Sequence, residues 1–166
     1  MRNDKLSLFK NNKAYTLIET LVVLTIMSLL FSLGYAAYRD FGRRQELAGI
    51  AKVIEGKIRK AQQSALSGVK PDSERCDPPQ TLISYNFYVV SSNHYQIQAS
   101  CSGGLPVVVD DVTIPDSTTI TLAQNPIAFK VLGTGTNVDV STNIILTQIA
   151  TGKTYSITVD SGGSIK

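Results

Sequence analysis

Histidine is nearly absent from this chain. His94 is the only one, and it falls in Ser91-Ser92-Asn93-His94, a stretch with the composition of a turn. A lone histidine in an exposed turn gives no base for a nucleophile and no partner for acid–base work, so enzyme chemistry is not expected. The carboxylates Asp110, Asp111 and Asp116 are the only group that suggests calcium. Their spacing does not match an EF-hand loop, so solvated turns are the expectation and no cofactor is assigned. Gly133-Thr134-Gly135-Thr136 looks superficially like a phosphate loop but lacks the lysine and the following helix, and reads as a β-turn. Proline is missing from 15 to 67, which leaves a long helix uninterrupted. A strong charge excess is lacking too. The formal net charge is +3, from 16 basic and 13 acidic residues; without residues 1–14 the balance is 12 of each, so global charge offers no case for nucleic acid.

What is present is concentrated at the start. From Thr20 to Tyr38 run 19 residues without a charge, a helix of about 28 Å at about 1.5 Å per residue, close to the hydrocarbon thickness of a bilayer. Glu19 sits at its edge. An ionised carboxylate costs about 2.5 to 3.5 kcal/mol at mid-bilayer, so one placed there suggests a specific cationic partner. Arg2, Lys5, Lys10 and Lys13 precede the run against one acid, Asp4. That bias puts the N-terminus in the cytoplasm and everything after Tyr38 outside. Two other readings stand: an ordinary single-pass anchor whose Glu19 snorkels to the interface, and a secretory signal cut near Gly34-Tyr35-Ala36-Ala37.

Lys13-Ala14-Tyr15-Thr16-Leu17-Ile18-Glu19, behind a short basic leader and ahead of the apolar helix, resembles the class III signal of type IV prepilins and type II secretion pseudopilins. The resemblance implies cleavage between Ala14 and Tyr15 by a prepilin peptidase, N-methylation of Tyr15, and a role for Glu19 in assembly. In a bundle of such helices, the Glu19 carboxylate lies against the α-ammonium of a neighbouring Tyr15, and the pairing sets the register. The family's usual Gly before the cut and Phe after it are replaced by Ala14 and Tyr15. The implied partners are other pilin or pseudopilin subunits, the peptidase/methyltransferase, an inner-membrane assembly platform, and lipid before assembly.

Beyond Arg39 the helix is expected to continue as an amphipathic one. Leu47, Ile50, Ala51, Ile54, Ile58, Ala61, Ala65 and Leu66 recur at three- and four-residue steps on one stripe. Ser67-Gly68 is the expected stop, with Pro71 soon after. Residues 39–60 carry seven basic and three acidic side chains, and the segment after Lys60 carries five and eight. The basic stem suits anionic headgroups or acidic patches of adjacent subunits, with a solvated face as the alternative.

After Gly68, short β-rich runs alternate with Gly, Pro, Asn, Asp and Ser. Strands are expected at Ile83–Val89, Tyr95–Ala99, Pro106–Val109, Thr118–Leu122, Ile127–Leu132, Ile144–Ile149 and Tyr155–Val159. Turns are expected at Ser91–His94, Thr151-Gly152-Lys153 and Asp160–Gly163. Ile127-Ala128-Phe129, Ile144-Ile145-Leu146, Tyr155–Val159 and Gly162–Ile165 resemble the closing strands of minor pseudopilins of the GspH and FimT type, which implies an accessory subunit that primes or caps a filament. Some FimT-like proteins bind DNA through a basic C-terminal end. Here that end offers Lys166 with Asp160 nearby, so DNA is a secondary partner. Cys76 and Cys101, the only cysteines, lie on the exported side and read as a disulfide closing a loop of about 26 residues, worth roughly 3 kcal/mol; free buried thiols are the alternative.

The sequence thus predicts an α+β protein: a cleaved leader over 1–14, a membrane or filament-core helix over 15–38, its amphipathic continuation over 39–68, and an antiparallel β head over 69–166. Its place is the cytoplasmic membrane with the head outside, then an extracellular or periplasmic filament.

Overall fold

The computed structural model describes residues 16–166. It divides into two units, Met1–Arg39 and Asp40–Lys166. One helix, α1 (Leu17–Ser67, 51 residues), passes from the first into the second. Its length follows from the absence of proline, and its end from Gly68, which adopts φ +65°. That left-handed residue lets the Gly68 N–H reach the Ala65 carbonyl (3.2 Å) and the Val69 N–H reach the Ser64 carbonyl (3.1 Å). These two bonds are a Schellman closure, which a residue with a Cβ enters only with strain.

Within the second unit, the buried face of α1 is Leu47, Ala51, Ile54, Ile58, Ala61 and Ala65. Steps of four and three alternate, the spacing that keeps side chains on one side of a helix. Ile50 is partly buried against the same core, whereas Leu66 is 49% exposed: it is the one member of the expected stripe that falls outside it. The polar flank also engages the head. Arg59 donates to the Ile165 carbonyl (3.0 Å) and Gln62 to the Gly163 carbonyl (2.9 Å).

The head has seven strands: β1 (Leu82–Ser91), β2 (His94–Cys101), β3 (Val107–Thr113), β4 (Thr118–Leu122), β5 (Ile127–Lys130), β6 (Ser141–Gln148) and β7 (Thr154–Asp160). They form two antiparallel sheets, in the orders β3-β2-β1-β5 and β4-β6-β7. The fold is α+β, one long helix with antiparallel sheets. Alternation on β2 is complete: Tyr95, Ile97, Ala99 and Cys101 face the core, where they join Phe87, Phe129, Ile144, Leu146, Ile157 and Val159.

Only β4 keeps the expected bounds; β1, β2 and β7 extend by one or two residues at their ends, and β3, β5 and β6 differ for reasons the pairing and the backbone show. β3 runs four residues past Val109, through Asp110 and Asp111, because β2 supplies partners as far as His94↔Thr113. β5 stops at Lys130, since Leu132 turns to φ +54°, a conformation no strand continues through. β6 begins at Ser141, paired with Asp160, and ends at Gln148.

Candidate assembly segment

The first turns of α1 carry the chemistry of the N-terminal motif. Thr16 caps the helix: its carbonyl accepts the Thr20 N–H (3.2 Å), and its Oγ1 accepts the Glu19 N–H (3.3 Å). Glu19 is therefore the third helical residue after a threonine cap, the spacing of a capping box. A carboxylate there also faces the positive end of the helix dipole. Reading Glu19 only as a charge in need of a cationic partner misses this local role; the signal is Thr-x-x-Glu ahead of an apolar run.

Beyond Glu19 the helix offers lipid or other helices an apolar surface. Leu17, Ile18, Leu24, Leu29, Leu30 and Phe31 are all more than 60% exposed, and the segment is long and apolar enough to cross a membrane. Its hydroxyls do not spoil that surface. Thr20, Thr25, Ser28 and Ser32 each donate to the carbonyl three residues back, at 2.7 to 2.9 Å. Every one of these hydroxyl protons is thus satisfied inside the helix, as hydrocarbon requires. Ala14 and Tyr15, the expected cleavage and methylation residues, lie outside the described residues, as does the leader.

The head's expected sites sort themselves by geometry. Cys76 and Cys101 are bonded, with Cα atoms 5.5 Å apart, and both are buried. The bond ties the short helical turn Glu74–Cys76 to the end of β2. The three aspartates do not gather. Asp110 and Asp111 are neighbours on a strand and so face opposite sides of the sheet. Asp110 forms an ion pair with Lys57 of α1, Asp111 meets His94 and accepts from Gln96 (3.3 Å), and Asp116 accepts from Asn93 (2.8 Å). No cluster of three metal-ligating side chains occurs among the described residues. The contact with His94 holds the Asp111 carboxyl below its ordinary range, with the Gln96 bond adding to it and slight desolvation opposing. His94 opens β2 rather than sitting in a free turn.

Two buried phenols complete the electrostatics. Burial raises Tyr85, whose hydroxyl donates to the Val69 carbonyl (2.8 Å). Burial, then the nearby Asp110 charge, pushes Tyr95 up to about 12. The Tyr95 hydroxyl has no hydrogen-bond partner among the described residues. Its ring packs on Phe87 with centroids 5.2 Å apart.

No curated protein and no solved structure matches the chain. Residues 9–35 match the family of the prokaryotic N-terminal methylation motif, a segment that spans the expected cleavage site, Glu19 and the apolar turns of α1. The chain therefore carries an N-terminal signal of the type IV pilin-like prepilin kind.

Proposed function

We propose that this chain is a structural subunit of a type IV pilus or type II secretion-like filament, processed by prepilin peptidase and assembled through α1. The carrying observation is Glu19, an acid in the first turn of α1 ahead of the uncharged, exposed turns that follow, inside the segment matched by the methylation-motif family. Cleavage between Ala14 and Tyr15 would create an α-ammonium within a few residues of that carboxylate. In an apolar bundle the Glu19 of one subunit and the Tyr15 amine of the next neutralise each other, so association and axial register become one event. Before assembly the same helix anchors the subunit in the cytoplasmic membrane, head outward, as the basic leader favours.

Within that class the chain is a minor subunit of the GspH/FimT type. The segments carrying that resemblance fall on β5, β6, β7 and the turn after them, and they supply core residues Ile127, Phe129, Ile144, Leu146, Ile157 and Val159.

The test is intact-mass and N-terminal peptide spectrometry on membrane and sheared-surface fractions. The expected species is a chain beginning at N-methylated Tyr15, present in the sheared fraction at low abundance beside a major subunit. Glu19→Ala should leave cleavage intact and deplete the sheared fraction, while a bulky residue at Ala14 should leave an uncut precursor. Chains that keep the leader and stay in the membrane would mean a plain anchor.

A further inference from the structure

The second sheet turns one face to the core, with Ile120, Ile144, Leu146, Ile157 and Val159 on it. Register sets the opposite face. Thr119 of β4 lies across from Thr147 of β6, which lies across from Thr154 of β7; Thr121, Ile145 and Ser156 make the next row, and Asn143 and Thr158 a third. Neighbouring strands are about 4.8 Å apart and alternate residues about 6.8 Å apart along a strand, so the rows form a grid. Seven of its eight side chains carry a hydroxyl or an amide, all are short, and none is buried.

Strand preference accounts for the threonines. It does not account for the missing charge. Surface positions carry charged side chains at about 25 to 35%, or about two or three in eight, and the grid has none. The outer face of the first sheet is subject to the same strand preferences and holds His94, Asp111 and Lys130. At the rim of the grid, the Asp160 carboxylate accepts from the Ser164 N–H (2.8 Å). Within it, Thr158 donates to the Asn143 side-chain carbonyl (2.8 Å), which leaves the Asn143 amide donors free. The hydroxyls of Thr121, Thr154 and Ser156 are exposed and unpartnered among the described residues. Ile145, 38% exposed, stands in the middle row.

A flat, uncharged grid of donors and acceptors around an apolar centre complements a flat, uncharged ligand of the same chemistry. Pyranose rings offer it, with hydroxyls at their rims and C–H groups on their faces. A polyanion or an anionic membrane finds no cation on this grid. We propose that this face of the second sheet binds the surface of an insoluble neutral polysaccharide, chitin or cellulose. Thr121, Thr154, Ser156 and the Asn143 amide bond the sugar hydroxyls, and Ile145 packs on the ring faces. Several rows engage a repeating polymer at once, so contacts that are weak singly act together. The grid belongs to the head, and its binding does not depend on assembly of the chain.

The full chain in detergent, mixed with chitin or microcrystalline cellulose and spun down, tests this. The chain is expected to sediment with at least one polymer, equally at about 0.1 M and about 1 M salt, because screening removes charge contacts and spares neutral ones. Thr121→Lys/Ile145→Lys should cut the bound fraction roughly tenfold or more, since each lysine is left unpaired against the polymer. Both positions are exposed, so the melting temperature should not move. Val108→Lys, at an exposed position on β3, should bind as the native chain does. No binding to either polymer, binding that disappears at high salt, or binding indifferent to the two lysines overturns the proposal. Should the double variant fail to fold, Ser156→Lys, exposed in the same row, is read by the same outcomes.

Discussion

Glu19 shows how one residue serves two levels. Its backbone N–H bonds the Thr16 side chain and its charge opposes the exposed end of the dipole, so the carboxylate is locally at ease before any partner arrives. In the proposed bundle the same carboxylate would then pair with the Tyr15 amine of a neighbour. Tyr95 is the opposite case, a buried polar group whose hydroxyl has no partner among the described residues. A buried hydroxyl without a partner costs about 1 to 3 kcal/mol, so Tyr95→Phe should leave stability at neutral pH unchanged or slightly higher. The phenol also titrates late. It is neutral when protonated, and its folded value of about 12 lies above the ordinary 10. Its contribution is therefore complete below pH 10 and is lost as pH rises from 10 to 12. Urea midpoints across that range should fall less steeply for Tyr95→Phe than for the native chain; identical slopes would place the alkaline loss elsewhere.

At the scale of elements, α1 is two helices in chemistry and one in backbone. The apolar turns hold no buried residue among those described, while Leu47, Ala51, Ile54, Ile58, Ala61 and Ala65 are each less than 5% exposed. Ile58→Ala should therefore cost about 2 to 5 kcal/mol by chemical unfolding, whereas Leu66→Ala, on the same expected stripe but half exposed, should stay within about 0.5 kcal/mol. Equal losses would mean that the stripe, not the measured burial, governs stability. Most of this element was legible because a period of 3.6 is written directly into residue type. Leu66 was misread because, at about 100° per residue, it lies about 100° round the helix from the centre of the buried stripe. The strands were read well at their centres and poorly at their ends. β3 continues through two aspartates, contrary to their low strand preference, because Lys57 and His94 meet those charges and β2 completes the ladder. These partners lie 53 and 17 residues away, beyond the reach of any local pattern.

In the whole molecule, the head is a small domain fastened at several distant points: the helix stripe in the core, Arg59 and Gln62 on the final turn, and the Cys76–Cys101 bond with its 25-residue separation. A loop of that size contributes about 3 kcal/mol in the chain-entropy model. Cys76→Ser/Cys101→Ser should lower the melting temperature of the full chain in detergent by roughly 10 °C or more, and reductant should move the native chain but not the variant. The sequence by itself determined the N-terminal signal, the continuous helix with its apolar and amphipathic halves, the placement of most strands, and the only available cysteine pairing. Each is carried by neighbours in the chain: a motif of seven residues, a period, or a count of two. Only the tertiary structure decided that the strands divide between two sheets, with β4 leaving the first and β5 returning to it. It alone placed the three aspartates apart and set Tyr95 beside Gly49 and Val53. Such arrangements depend on which distant segments bury one another, and strand alternation specifies an inward face without naming the surface it meets.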